Sequence, residues 1–150
     1  MQQNELDKIY GLLAYFDIVP EQIKIEEEED VVKITVEMEE LAAGRLIGRF
    51  ATMLDSLQLI ISLMLNQGES HRHILLDVAG YRERRLETLI AMVERAKLEV
   101  EQTGEPYALP PLSATERRQV HLMCRDDATF TSFSQGDGVD RRLFIAPKTA

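Results

Sequence analysis

Arg117 and His121 are separated by three residues in Arg117-Arg118-Gln119-Val120-His121. In a helix that spacing puts both on one face, about a turn from each other. A permanently charged guanidinium beside an imidazole suits a phosphate oxyanion. The histidine adds a hydrogen bond at neutral pH and a full charge below roughly pH 6.5. Arg118 is a further cation beside the pair. An Arg-x-x-x-His spacing is common by chance, so its weight comes from its surroundings.

A second candidate is Gly48-Arg49-Phe50-Ala51. A tight loop opening onto a helix N-terminus offers free N–H groups and a favourable dipole to a phosphate. Gly48 would let a ligand approach closely. Phe50 could stack on a base or cap a retired site. Ala51 takes a left-handed backbone only at a cost of roughly 1 kcal/mol.

Other polar groups read as structural. His71 and His73 could share a strand face and a metal, but no third ligand is recognisable, so they mark an exposed strand entry. Glu26 to Asp30 reads as a solvated hairpin end, because neighbouring strand carboxylates point to opposite faces. Asp126-Asp127 reads as a turn. Cys124, three residues beyond His121, is a packing cysteine; as the single cysteine it excludes an internal disulfide and multi-cysteine metal sites. No nucleophile elbow, Walker loop or dinucleotide fingerprint is present. The expectation is a non-enzyme with no metal and no cofactor.

These residues need elements to hold them. The apolar spacing predicts a helix over 5–16, stopped before Pro20. Strands follow around Ile23-Ile25 and Val32–Met38. A short helix covers Leu41–Ile47, and a second runs to Asn66 with Met53, Leu57, Ile60, Ile61 and Met64 as its buried stripe. Gln67-Gly68-Glu69-Ser70 stops it. His73–Ala79 is apolar enough to be a central strand. The first 80 residues therefore read α-β-β-α-α-β. A long helix over Tyr81–Gln102 carries Leu86, Leu89, Ile90, Val93, Ala96 and Val100 on one stripe. A proline-bounded connector holds at most a short strand. Ser113-Ala114-Thr115-Glu116 is a capping box that opens a helix to about Asp126. Strands over Thr129–Ser134 and Arg141–Ala146 flank a glycine turn.

The net charge of −9 argues against indiscriminate nucleic-acid binding. It is unevenly spread: residues 1–80 hold 6 basic and 15 acidic side chains, and residues 81–150 hold 11 of each. Apolar residues make up 45% of the 150, a globular composition. The apolar run Leu59–Leu65 is too short to span a bilayer, and Met1–Glu5 lacks a signal sequence's basic start. The expectation is a soluble cytoplasmic protein with no transmembrane segment.

The α-β-β-α-α-β order with Ala43-Gly44-Arg45-Leu46-Ile47-Gly48-Arg49 and Leu54-Asp55-Ser56-Leu57-Gln58 resembles a KH domain, whose Gly-x-x-Gly loop clamps single-stranded nucleic acid. Here the second glycine is Ala51, and Phe50 stands where a basic residue is usual. Asp77 to Arg85, Pro111 to Arg118, Asp126-Asp127 and Ser134 to Gly138 before Arg141-Arg142 resemble, in order, an R-three-H domain. The two together, over about residues 5–147, resemble the bacterial Jag family. The resemblance implies an α+β chain: a KH-like domain (1–80) joined through a long helix to a small R-three-H-like domain (81–150). It implies non-catalytic binding of single-stranded RNA, with single-stranded DNA as the alternative, in post-transcriptional regulation. Arg117 and His121 match the named pair. Arg141 and Arg142 match the basic pair of the last strand, where one joins the site and the other pairs with a local carboxylate. The family often carries a further N-terminal domain, which the chain is expected to lack. The alternative is a protein-interaction or dimerisation module, anchored by Phe50, whose partner is another small KH protein or a second copy.

Overall fold

In a computed structural model of the chain, the Glu5 carboxylate accepts the Gln2 N–H at 2.9 Å and starts helix α1 (Gln3–Ala14), two residues ahead of the start read from apolar spacing. The structure describes residues 1–69 and 71–149; Ser70, the last residue of the stop signal after Asn66, lies outside the described residues. Two compact units result, Met1–Arg82 and Glu83–Ala150. Both mix helices with a three-stranded sheet, so the chain is α+β.

In the first unit, β1 (Ile23–Glu28) and β2 (Val31–Val36) form an antiparallel hairpin, and β3 (His73–Val78) lies parallel to β2. The central strand is therefore β2, and β3 is an edge. Ile74, Leu76 and Val78 are apolar because they face the core, while Leu75 on the other face is exposed. Helices α2 (Gly44–Ile47) and α3 (Thr52–Leu65) are separated by a one-turn 3-10 segment, Arg49–Ala51. The short helix expected over Leu41–Ile47 is split between a 3-10 turn, Glu40–Ala42, and α2.

The buried residues of α3 are Leu54, Leu57, Ile61 and Leu65; Met53 and Ile60, read as part of the stripe, are exposed. Nearly every face of α3 is apolar, so periodicity identifies the helix without identifying its inner side. Gly44–Leu65, 22 residues, is long and apolar enough by composition to cross a membrane, beyond the short run read from the sequence. It is not one continuous helix. Gly48 (φ 72°), Phe50 (φ 55°) and Ala51 (φ 59°) break it, and the 14 residues of α3 rise only ~21 Å against a ~30 Å hydrocarbon core.

The second unit contains most of α4 (Tyr81–Thr103), β4 (Tyr107–Ala108), α5 (Ala114–Cys124), β5 (Phe130–Gln135) and β6 (Arg142–Pro147). Its sheet is antiparallel in the order β4-β6-β5. Leu89, Val93, Ala96 and Val100 of α4 pack with Val120 and Cys124 of α5 and Leu143 and Ile145 of β6. The long helix is thus a wall of this core rather than a free connector, and Leu86 and Ile90 lie outside its buried stripe. Both hairpin strands sit one residue later than the sequence reading, which leaves Arg141 ahead of β6.

Candidate nucleic-acid interface

Helix α5 starts on a reciprocal cap. Glu116 N–H donates to Ser113 Oγ at 3.2 Å, and Ser113 N–H donates to Glu116 Oε2 at 3.0 Å. Glu116 is buried, and Arg85 from α4 grips it through Nε (2.6 Å) and Nη2 (3.2 Å). Burial pushes this carboxyl up, but the Arg85 bonds and the Ser113 N–H outweigh it and the net shift is downward. The N-terminus of α5 is therefore fixed in place. Val120 and Cys124 occupy its inner face, and Arg117, Arg118 and His121 line a hollow on its outer side.

Arg117 Nη1 donates to the Leu112 carbonyl at 2.7 Å, which holds the guanidinium against the start of the helix. Arg141 Nη1 donates to the Gly136 carbonyl at 3.1 Å. A side chain at Gly136 would put Cβ 2.9 Å from the Asp140 carbonyl oxygen, so the turn that presents Arg141 closes only with glycine there. His121 sits between two hydroxyls: Nδ1 lies 2.7 Å from Ser132 Oγ, and Nε2 lies 3.1 Å from Ser134 Oγ. Burial, then the Arg141 and Arg117 charges, push the imidazole below its ordinary range, so it is neutral at pH 7.

Ala114, Arg117, Arg118, His121, Leu122, Ser134 and Arg141 line an open hollow of about 310 Å³. Among the described residues no carboxylate lines it, although this half of the chain holds 11 acidic residues. Asp127, in the turn after α5, pairs with Lys97 at 2.9 Å and accepts the N–H groups of Thr129 and Phe130, and these contacts hold its carboxyl at about 2. Burial pushes the Cys124 thiol up, so it keeps its proton and packs.

The hollow thus unites Arg117, Arg118, His121 and Arg141. Arg142 takes no part in it. Its Nη1 donates to the Val139 and Arg141 carbonyls, where a carboxylate partner was expected, so the guanidinium folds back on its own turn. Ser132 and Ser134 escaped the sequence reading. Their signal was available: residues i and i+2 of a strand share a face, and a part-buried histidine needs partners for both nitrogens.

Gly48, Arg49 and Phe50 belong to the first unit. Their loop closes on itself. The Arg49 guanidinium lies 5.2 Å from the Phe50 ring centroid, and the Thr52 hydroxyl donates to the Arg49 carbonyl. A Cβ at Gly48 would meet Met53 Cβ at 2.9 Å. Among the described residues, no group of three or more His, Cys, Asp or Glu is placed to hold a metal.

Residues 87–147 match the family model of the R-three-H domain, so the second unit carries that domain. The chain is 32% identical over 127 residues to a Clostridium symbiosum protein named RNA-binding protein KhpB, covering 84% of this chain and 57% of that one. Proteins of the same name match from Lactiplantibacillus plantarum (33% over 113 residues; 75% of this chain, 35% of the relative) and Bacillus subtilis (26% over 153 residues; 96% and 73%). The chain spans about half or less of the length of the first two. It is a Jag-type, KhpB-like protein with an R-three-H domain.

Proposed function

We propose that the protein binds single-stranded RNA without catalysing a reaction on it, as a cytoplasmic regulator, and that the hollow beside α5 receives the phosphate backbone. One observation carries the reading: three guanidiniums, from Arg117, Arg118 and Arg141, line one hollow with no carboxylate among the described residues, in a chain of net charge −9. Like charges gathered this way repel one another and are compensated when an anion enters. Names of the KhpB relatives point the same way. Arg142 and the Gly48–Phe50 loop are left outside this contact set.

Fluorescence anisotropy with a labelled, mixed-sequence single-stranded RNA at two salt concentrations tests the reading. Three phosphate contacts give a log–log salt slope of roughly −2 for a single strand. Arg117→Ala lowers affinity about tenfold and flattens that slope by about 0.7. Absence of salt-sensitive binding, or a slope indifferent to Arg117→Ala, rejects it. Single-stranded DNA in the same assay separates the two nucleic acids.

A second reading concerns the first unit alone. Met53, Leu59, Ile60 and Leu63 leave an apolar face of α3 exposed, Leu63 at 66%. Such a face suits a protein contact, either a second copy or another small KH protein. Phe50, at 37%, is the less exposed anchor. Light scattering of wild type and Leu63→Glu across a concentration series tests it: mass that rises with concentration only in wild type supports a second copy.

A further inference from the structure

We propose that the Ser134 hydroxyl, rather than the His121 imidazole, is the group that meets the anion in the hollow, with His121 as a positioning residue behind it. This rests on the RNA-binding reading above and assigns the donor atoms within that site. Both ring nitrogens of His121 are already engaged, Nδ1 with Ser132 at 2.7 Å and Nε2 with Ser134 at 3.1 Å. The ring has no third nitrogen to offer a phosphate, and a direct contact requires one of these bonds to break. Ser134 lines the hollow. The two serines sit two apart on β5 and share a face, and between them Phe133 stacks on Phe144 with ring centroids 5.2 Å apart. The hydroxyls are thereby held under the ring.

The direction of donation follows from the inventory of protons. A neutral imidazole has one donor nitrogen and one acceptor. With the proton on Nε2, Nε2–H donates to Ser134 Oγ, Nδ1 accepts the Ser132 hydroxyl, and the Ser134 proton is left to donate into the hollow. In the other tautomer Ser134 gives its proton to Nε2 and turns only lone pairs toward the anion, which repels it. An anion in the hollow therefore selects the Nε2–H form. Arg117 from α5 and Arg141 ahead of β6 are the charged groups facing the ring, and both disfavour an imidazolium. Cys124 on α5 keeps its proton beside Ser132, so it brings no negative charge. His121 thus supplies orientation instead of charge.

The experiment repeats the RNA anisotropy on the full chain with single and paired substitutions. Ser134→Ala is expected to weaken binding about tenfold, and Ser134→Thr to keep it. His121→Ala weakens binding in the wild-type background and adds nothing in the Ser134→Ala background, as expected for groups acting in series. Affinity stays level between pH 6.5 and 8, and a long-range proton–nitrogen spectrum of the RNA-bound chain shows the Nε2–H tautomer. The proposal is overturned if His121→Ala costs as much with Ser134→Ala as without it, or if the bound ring is Nδ1–H or an imidazolium. It is also overturned if Ser134→Ala binds like wild type while Arg117→Ala does not; that result leaves the RNA-binding reading standing. A wild-type chain without salt-sensitive binding removes both together.

Discussion

Two places in this molecule carry the sequence marks of a phosphate site, and the structure builds them differently. Around α5, Arg117, Arg118 and Arg141 are spread around an open hollow, and two of the three are tethered to carbonyls that hold them in position. Around Gly48–Ala51 the single cation, Arg49, lies on its neighbour Phe50, and two successive non-glycine residues take left-handed backbone. The first arrangement leaves charge uncompensated for a ligand; the second satisfies itself locally. The charge of each half agrees, net −9 in residues 1–80 and neutral in residues 81–150. What separates a site from a motif here is how the cations are held: carbonyls tether Arg117 and Arg141 around a hollow that His121 and Ser134 also line, while Arg49 lies on the ring of its own neighbour.

The largest effect is therefore expected from a residue that never touches the hollow. Arg85→Ala strips the partner from buried Glu116 and undermines the cap that starts α5. Breaking a buried ion pair on one side costs about 3 kcal/mol, and denaturant unfolding should show a loss of that order with weakened RNA binding. The pair also sets the sign of acid sensitivity. The folded-state pKa of Glu116 is lowered, so its contribution is complete above the unfolded value of 4.5 and is lost as pH falls through the folded value. Asp127, at about 2 against 3.8, behaves the same way at lower pH. A thermal series from pH 6 to 3 should show wild type losing stability and Arg85→Ala losing less. Equal losses would mean that the pair does not support α5.

How much of this was legible beforehand depends on how local each signal is. The α5 cap is written in four consecutive residues, and the structure forms it between Ser113 and Glu116. The α+β pattern and most elements follow from periodicity within one or two residues. The buried side of α3 did not follow, because a helix apolar nearly all round has no inner face until its neighbours are placed. The strand order did not follow either: β2 and β3 each carry four apolar residues of six, so apolar content does not rank them, and β2 takes the centre because it pairs on both sides. At the site, Arg117 and Arg118 could be singled out by type and spacing, and Arg141 only through the family resemblance. The hydroxyls behind them were not singled out, since serine is common and its role here depends on a histidine carried by a different element.

The next effect sharpens the contrast from the loop side. Gly48 has φ 72° and ψ 178°, a region essentially reserved for glycine, where other residues incur about 1–3 kcal/mol of strain. Its added Cβ would also lie 2.9 Å from Met53 Cβ and 3.0 Å from Met53 N. Gly48→Ala should destabilise the first unit by about 2 kcal/mol. RNA affinity below the unfolding transition should stay at the wild-type value. A large loss of affinity in a chain still folded by circular dichroism would return the loop to the binding surface and break the comparison.

Ala51→Gly should have the smallest effect, because its terms oppose one another. Relief of left-handed strain at φ 59° is worth about 1–2 kcal/mol. Against it stand about 0.8 kcal/mol for the buried methyl and about 0.4–1 kcal/mol from the freer unfolded chain. The net change in stability should be under about 1 kcal/mol of either sign, measured by urea midpoint at constant slope. The substitution also restores the second glycine of a Gly-x-x-Gly loop, so it tests the loop's chemistry with little disturbance of the fold. Unchanged RNA affinity is expected, because Phe50 stays left-handed beneath Arg49 and no cation is added. Several-fold tighter binding would mean that one methyl group is all that silences the loop, and that the two halves differ by degree instead of by construction.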